Sequence, residues 1–487
     1  MLSLKDKTIH GVSWSFADNI IGSGITFLIG LVLARLLSPD EFGIIGMITI
    51  FIAISNTIVD SGFSNALIRR KEVQDIDYNT VFYLNIVFSI FLYVIIFISA
   101  PAISVFFKEP QLTSISRVIG VILIINAFSI VQRVLLIRKV DFKTQTKISL
   151  ISSLTSGVIG IGMAFAKFGV WSLVGQLISR QLMNALFLWL FNHWRPKFEF
   201  SIRSFKELYS FGSKLLIATL IDTLWKEINY LIIGKFYRAS SLGQYTRAQQ
   251  FQTIFSSNLT YVVQRVSFPV LSSIQDDNMR LKQAYRKIIK TTMLVSFACM
   301  LGLAAIAKPL IFILIGEKWM PSVYFLQIMC LYGMLYPLHA INLNMLQVKG
   351  RSDLFLKLEI IKKIIAIGPL LLGIFISIEY LLWGSVFTSF IAYYLNSYYS
   401  GRLMDYAMKE QLRDILPFFV NAAITALIVW SITMIPMSIW FMLPLQLIVG
   451  VALLLILYEW QKQEEYLEIK QIVVSTYNRF FSWKNKK

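Results

Sequence analysis

Residues 81–100 read VFYLNIVFSIFLYVIIFISA, an apolar run without a single charged side chain. About 20 residues of helix, rising 1.5 Å each, cover the roughly 30 Å hydrocarbon core of a bilayer. Runs of this kind recur along the whole 487-residue chain, and 56% of its residues are hydrophobic. The pattern predicts an all-α integral membrane protein with about 14 transmembrane helices, and it excludes a soluble domain of this size.

The predicted spans form two sets of six and a final pair. The first set comprises Val12–Leu36, Phe42–Leu67, Val81–Phe106, Ile115–Leu136, Ile148–Phe168 and Val170–Phe191. The second set comprises Phe211–Phe236, Leu242–Phe268, Ile288–Ile315, Val323–Leu346, Phe355–Ile376 and Tyr380–Met404. The last pair comprises Ile415–Ile435 and Ile439–Tyr458.

An internal repeat favours two lobes. Ala34–Gly43 ends the first span and Gly234–Gly243 ends the seventh, with equal length, a shared closing glycine and an offset of 200 residues. Six is an even number of spans, so both copies share one orientation, as in transporters built from parallel repeats. The identities are few, however, and any two helix bundles look alike at this level. We predict an N-terminal lobe (1–199), a C-terminal lobe (200–410), an extra helix pair (411–458) and a cytoplasmic amphipathic tail (459–487).

The charge pattern orients the chain. The formal net charge is +19, and the basic residues cluster in the loops on one side of the predicted spans, with a bias of about four to one. The positive-inside rule places that side, and both termini, in the cytoplasm. This arrangement accounts for the positive charge without a nucleic-acid partner. The tail is expected to lie on the anionic inner leaflet, with partner binding as the alternative.

Charged residues within the spans are the candidate functional residues, because an ionisable group at the bilayer centre costs at least about 2.5–3.5 kcal/mol. They include Asp18, Asp60, Arg180, Asp222, Lys226 and Arg247. Asp222 and Lys226 are four residues apart and can share a helix face, with Trp225 and Tyr230 close by. A basic cavity favours an anionic cargo such as a diphosphate, and flat aromatic faces suit sugars. The alternatives are structural ion pairs, side chains that snorkel to the interface, and aromatic packing.

Catalytic signatures are missing from the sequence. His10, His193 and His339 stand apart, and the chain has no HExxH, GxSxG, GxxxxGK[ST] or CxxC pattern. Cys299 and Cys330 both lie in apolar runs, which favours buried free thiols. We therefore predict a transporter rather than an enzyme, without a metal or another cofactor.

Three motifs carry a family resemblance: LARLLSPDEFG at residues 33–43, DSGFSNAL at 60–67 and LGQYTRA at 242–248. With the span pattern, they resemble the polysaccharide-transporter (Wzx-type O-antigen flippase) family of the multidrug/oligosaccharidyl-lipid/polysaccharide exporter superfamily. The resemblance implies a flippase for polyprenyl-diphosphate-linked oligosaccharide that works by alternating access in surface polysaccharide assembly. It implies a diphosphate-binding role for Arg180, Lys226 and Arg247, with membrane lipids and other polysaccharide-assembly proteins as further partners.

Two alternatives stay open at this point. One is a cation-coupled multidrug exporter of the same superfamily, in which Asp18 or Asp60 would hold the coupling ion or act in gating. The excess of bases over acids within the spans opposes it. The other is a membrane glycan polymerase or ligase, which the lack of a large outer loop opposes.

Overall fold

The computed structural model describes residues 21–471 and Ser475, and every regular element among them is helical. The helices of the first half are α1 (Ile21–Leu36), α2 (Pro39–Asp60), α3 (Phe63–Arg69), α4 (Asp75–Phe107), α5 (Leu112–Ile119), α6 (Val121–Arg138), α7 (Phe142–Phe165), α8 (Val170–Phe191), α9 (Ile202–Phe236) and α10 (Ala239–Ser273). Those that follow are α11 (Asn278–Ile315), α12 (Pro321–Gly333), α13 (Tyr336–Val348), α14 (Ser352–Ile365), α15 (Ile367–Phe375), α16 (Ile378–Met404), α17 (Met408–Ser431), α18 (Ile439–Trp460) and α19 (464–471).

Within residues 21–471, eight segments, each one helix or two consecutive helices, are long and apolar enough to cross a membrane. They are α2 with α3, α4, α5 with α6, α7, α11, α12 with α13, α17 followed by a short 3₁₀ turn, and α18. The chain is therefore an all-helical, multi-span membrane protein. The total of fourteen spans stays a prediction.

Besides the predicted span Phe42–Leu67, which is divided between α2 and α3 at residues 61–62, three predicted spans are interrupted rather than continuous. Ile115–Leu136 breaks at Gly120, Val323–Leu346 breaks at residues 334–335, and Phe355–Ile376 breaks at Ala366. In the last two, the second helix carries a proline in its first turn, Pro337 in α13 and Pro369 in α15. Proline lacks the N–H that a helix interior needs, but the first turn has no internal acceptor for that group. The helix therefore restarts just before each proline.

The chain divides into two compact units at the boundary between Thr246 and Arg247. In the first unit, α2 packs along α9. Thr57 and Thr223 share a hydrogen bond of 3.1 Å between their hydroxyls. Nearer the end of α2, a Cβ on Gly62 would lie 2.6 Å from the carbonyl oxygen of Gly212, so a side chain does not fit there. Glycine thus sets the close approach of the two helices.

The linker between α8 and α9, residues 192–201, is anchored in the first unit. The Trp194 ring packs against Tyr78 and Phe82, with ring centroids 6.1 and 5.8 Å away. The Asn79 amide donates to Glu199 Oε2 at 3.3 Å and accepts from the Lys197 backbone N–H at 3.1 Å. The long connection between the two predicted lobes therefore has fixed partners on α4.

In the second unit, α17 packs against α11 through an ion pair and an aromatic contact. Arg286 donates two hydrogen bonds to Asp414, and Phe297 meets Phe419 edge-on at 5.3 Å. The predicted tail is described only as far as α19 and Ser475. Lys287 on α11 pairs with Glu468 on α19 at 2.7 Å. Residues 472–474 and 476–487 of the tail lie outside the described residues.

Candidate functional site

The first unit contains a polar cavity of about 400 Å³ between α2, α3, α6 and α9. Its polar wall residues are Asn56, Thr57, Asp60, Ser64, Asn65, Asn126, Arg133 and Thr219. Amides, hydroxyls, one carboxylate and one guanidinium thus converge on a single space, and α2, α3 and α6 belong to segments long and apolar enough to cross a membrane. Polar groups inside membrane-spanning segments usually mark a substrate or ion path.

Arg133 on α6 is the basic group of this cavity. It is half-buried, and the nearby charge that acts on it is Asp60. Within residues 21–471, no ion pair or hydrogen bond holds its guanidinium. The five N–H donors of Arg133 are therefore available to a ligand that enters the cavity.

Asp60 is positioned by the turn between α2 and α3. Ser61 and Gly62 both have left-handed backbones, with φ of 46° and 70°. The carboxylate accepts hydrogen bonds from the backbone N–H and the hydroxyl of Ser64 in the first turn of α3. Residues 60–62 thus form the turn between α2 and α3, and two of them, Asp60 and Gly62, also line the cavity.

Arg138 fixes the other end of α3. Its guanidinium donates to four backbone carbonyls, those of Leu67, Ile68, Arg70 and Lys71. A helix ends with unsatisfied carbonyls that carry partial negative charge, and a cation there is stabilising. Arg138 is consequently a structural arginine, whereas Arg133 on the same helix faces the cavity.

A chain of side-chain amides crosses three helices beside the cavity. Gln181 on α8 donates to Asn126 Oδ1 at 2.8 Å, and Asn126 donates to Asn56 Oδ1 at 2.9 Å. Amides both donate and accept, so this chain fixes the direction of each group. It presents oriented hydrogen-bonding groups of the kind that sugar hydroxyls require.

The predicted site residues occupy several places. Asp60 lines the cavity, but Arg180 on α8 and Asp222, Trp225, Lys226 and Tyr230 on α9 are not among its wall residues. Arg180 is half-buried beside Gln181, whereas Asp222 and Lys226 are exposed. Tyr230 meets Tyr245 edge-on at 6.0 Å, and Asn229 donates to the Tyr245 hydroxyl at 3.0 Å.

Two further predicted residues lie apart from these. Arg247 belongs to the second unit, and Asp18 lies outside the described residues. The binding, coupling and gating roles assigned to all of these residues stay predictions.

The sequence analysis missed Arg133. This residue lies near the end of a predicted span and close to Arg138 and Lys139, where a basic side chain fits the positive-inside pattern. Helical spacing offered a signal: Asn126, Ile130, Arg133 and Ile137 recur every three to four residues. An arginine and an asparagine on one face of a membrane helix indicate a polar path. Among the described residues, no group of three or more His, Cys, Asp or Glu side chains is placed to hold a metal ion.

Comparison with known proteins places the chain among transport proteins for polysaccharide assembly. The family described as "Polysaccharide biosynthesis protein" matches residues 32–324. The teichuronic acid biosynthesis protein TuaB of Bacillus subtilis (strain 168) is 27% identical over 360 residues, which cover 73% of this chain and 74% of TuaB. The lipopolysaccharide biosynthesis protein WzxC of Escherichia coli (strain K12) is 25% identical over 379 residues, 76% of each chain.

Two solved structures share the fold. The lipid II flippase MurJ in an inward closed conformation matches with a TM-score of 0.72 at 15% identity, over 93% of this chain and all of MurJ. An inward-facing multidrug resistance transporter of the MATE family matches with a TM-score of 0.62 at 15% identity, over 79% of this chain and 94% of that one. At this identity the likeness establishes the architecture alone.

Proposed function

The chain belongs to the polysaccharide biosynthesis protein family, and we propose that it carries polyprenyl-diphosphate-linked oligosaccharide from the inner to the outer leaflet of a bacterial inner membrane. Relatives that act in teichuronic acid and lipopolysaccharide biosynthesis support this proposal, as does the fold shared with a lipid II flippase. Such a cargo consists of an apolar tail, a diphosphate and a glycan. The tail stays in the bilayer, so the protein has to shelter the two polar parts.

Arg133 is the residue on which this proposal chiefly rests. A guanidinium binds a phosphate through paired, charge-assisted hydrogen bonds, and Arg133 offers its donors to a cavity of about 400 Å³. That volume falls within the range of about 300–1,000 Å³ typical of small-ligand sites. Asp60 is the nearby opposite charge, but no ion pair within the described residues joins it to Arg133, so a diphosphate can bind the guanidinium without displacing a carboxylate.

The amides beside Arg133 fit the sugar part of the cargo. Asn56, Asn126 and Gln181 are aligned by their mutual hydrogen bonds, so they offer directed donors and acceptors to hydroxyl groups. We further propose that Arg180, Lys226 and Arg247 contact the diphosphate at other stages of the passage. The aromatic rings of Trp225 and Tyr230 would then stack on sugars.

The proposed topology has fourteen spans, with lobes at 1–199 and 200–410, an extra pair at 411–458 and both termini in the cytoplasm. Helices occupy every predicted span that the structure describes, which supports this arrangement. The two lobes would rock about the cargo, opening first to one leaflet and then to the other. The cargo gradient, an ion gradient or a partner would supply the energy, since the sequence has no nucleotide-binding motif.

A cation-coupled drug exporter is the second candidate, since a MATE-family transporter shares the fold. Asp60 would be its ion site within the described residues. The guanidinium of Arg133 near that carboxylate opposes binding of a cation there, because like charges repel strongly where water is scarce. The Arg133 guanidinium in the cavity wall therefore favours an anionic cargo.

The test is to locate the lipid-linked glycan by leaflet in a conditional deletion strain. The strain is complemented with wild type, Arg133→Ala, Arg133→Lys or the control Arg203→Ala, whose side chain is 89% exposed on α9. We expect wild type and Arg203→Ala to clear the inner leaflet, Arg133→Ala to leave the glycan there, and Arg133→Lys to clear it partly. All variants must be present at equal levels in the membrane.

Other outcomes would overturn the proposal. Glycan that reaches the outer leaflet of the deletion strain but stays unpolymerised would make the protein a polymerase or ligase. If no glycan accumulates and the deletion strain instead becomes sensitive to drugs, the protein is an exporter.

A further inference from the structure

The two closing glycines of the sequence repeat lie against each other's helices. Gly43 is the fifth residue of α2 and Gly243 is the fifth residue of α10. A Cβ on Gly43 would lie 1.8 Å from the carbonyl oxygen of Ala239, and one on Gly243 would lie 1.9 Å from that of Pro39. No side chain can occupy either position at such distances, so the backbones of the two helix starts touch directly.

The contact is reciprocal. Residue 43 meets residue 239, and residue 243 meets residue 39; adding 200 to either member of the first helix gives its counterpart in the second. A contact that maps onto itself in this way has local two-fold symmetry, like the interface of a symmetric dimer. Packing between unrelated helices carries no such register. Positions that are 200 residues apart in the sequence are therefore equivalent in this contact.

The neighbouring residues continue the same close packing for one more turn. A Cβ on Gly46 would lie 3.0 Å from Leu242 Cδ2, the tip of a flexible side chain. The start of α2 is itself fixed, because Ser38 and Glu41 form a reciprocal capping box. The capped start of α2 thus meets the start of α10 through small residues.

From this geometry we infer that the paired starts of α2 and α10 form a latch that closes the outer end of the transport path and must part for the cargo to leave. The inference rests on the proposed function, and it adds the residues that do the closing. The charge pattern puts residues 37–43 and 237–243 on the side with few basic residues, the side opposite the cytoplasm. A contact between backbones at glycine is lost once the helices separate slightly, because no side chain bridges the gap. Such a contact suits a latch with two discrete positions, closed and open.

The test uses alanine to hold the latch open. Gly43→Ala, Gly243→Ala and the double variant are made with Cys299 and Cys330 replaced by serine and with Asn65→Cys as the reporter. Asn65 is exposed and lines the polar cavity. A membrane-impermeant maleimide is then added outside intact cells. We expect each single variant to raise the labelling rate by about tenfold or more, because the added methyl group forces the helices apart.

Reciprocity makes a second, sharper prediction. One parting movement relieves both clashes, so the double variant should label no faster than the faster single variant. Gly302→Ala is the matched control: nothing lies within 4 Å of a Cβ there, so its labelling should equal that of the background protein. Gly46→Ala, which meets only the tip of Leu242, should give an intermediate rate and serves if the other variants fail to fold.

Three results would overturn the latch: unchanged labelling in well-folded single variants, a response at only one of the two glycines, or additive effects in the double variant. The labelling requires no glycan, so it is independent of the cargo. If the latch responds as expected while the deletion strain accumulates no glycan, the proposed cargo is wrong and the latch stands.

Discussion

The contact between Arg286 and Asp414 allows a quantitative prediction for how α17 is held on α11. Arg286 donates from Nε to Asp414 Oδ2 at 2.5 Å and from Nη2 to Oδ1 at 2.6 Å. The buried hydroxyl of Tyr406 donates to the same Oδ2 at 2.5 Å. The Asp414 side chain is 7% exposed and that of Arg286 is 50% exposed. The pair is therefore buried on one side and hydrated on the other.

The expected coupling energy follows from that asymmetry. Hydrogen bonds to charged groups contribute about 1.5–3 kcal/mol each. Arg286 keeps part of its hydration, so we reduce the sum of the two bonds to about 2 kcal/mol. Replacing Asp414 by alanine also leaves the Tyr406 hydroxyl without its acceptor, which adds about 1–3 kcal/mol to the loss of that variant. Asp414→Asn keeps an acceptor for Tyr406 and should lose only the coupling with Arg286.

The assay is thermal unfolding of the purified protein in detergent, followed by tryptophan fluorescence. A loss of 2 kcal/mol in a unit the size of residues 247–487 lowers Tm by about 4–8 °C. We expect this shift for Asp414→Asn and a larger one for Asp414→Ala. The cycle of Arg286→Ala, Asp414→Ala and the double variant gives the coupling itself.

Arg351 and Asp353 provide the matched control. They form the same two-bond pair, at 2.9 and 2.7 Å, but their side chains are 45% and 62% exposed. Water and salt screen such a pair, so Asp353→Asn should leave Tm unchanged. A cycle at Arg286 and Asp414 that returns no coupling, or an equal effect at the exposed pair, would refute the reasoning from burial.

Three further predictions concern the first unit and the tail. Arg138→Ala should lower the stability of the protein by about 1–2 kcal/mol, because four carbonyls at the end of α3 lose their cation; hydrogen exchange should quicken in residues 67–71 and nowhere else in the first unit. Gly62→Ala should lower the free energy of unfolding by about 1–3 kcal/mol, since the φ of Gly62 is +70° and a Cβ there would meet a carbonyl. Gly302→Ala should leave it unchanged, because nothing lies within 4 Å of a Cβ there. Thermal unfolding compares the two variants, and equal shifts in Tm would contradict this account of the packing. Glu465→Gln should release α19, because the Glu465 side chain is only 9% exposed and its ion pair with Lys290 on α11 is lost; trypsin should then cleave the tail of the purified protein faster, and an unchanged cleavage rate would show that this pair does not hold the tail.

The helical class was predictable because hydropathy alone decides it. Predicted span Val170–Phe191 coincides with α8, which follows the left-handed residue Gly169. The interruption at Gly120 was not predictable from hydropathy, because apolar residues continue on both sides of it. A Cβ on Gly120 would lie 3.0 Å from the ring of Tyr93, a residue of another helix.

The candidate site was less predictable, since the sign of a residue's charge does not reveal which way its side chain points from the helix. Arg133 and Arg138 are five residues apart, which turns a helix through about 500° and leaves them about 140° apart around its axis. One therefore faces a cavity while the other caps α3. Local sequence treats both as basic residues near the end of a span. Likewise, the offset of 200 residues between Gly43 and Gly243 predicts a repeat. Only the folded chain shows that both glycines lie in one contact between α2 and α10.

The anchored linker has a consequence for biogenesis. Tyr78, Asn79 and Phe82, which hold Trp194, Lys197 and Glu199, all precede the linker in the chain. Synthesis runs from the N-terminus, so every one of these partners has left the ribosome before the linker emerges. The helices up to α8 can thus be fastened by this linker while the second half is still being translated. Insertion of the later helices then proceeds beside a finished half rather than beside a loose chain.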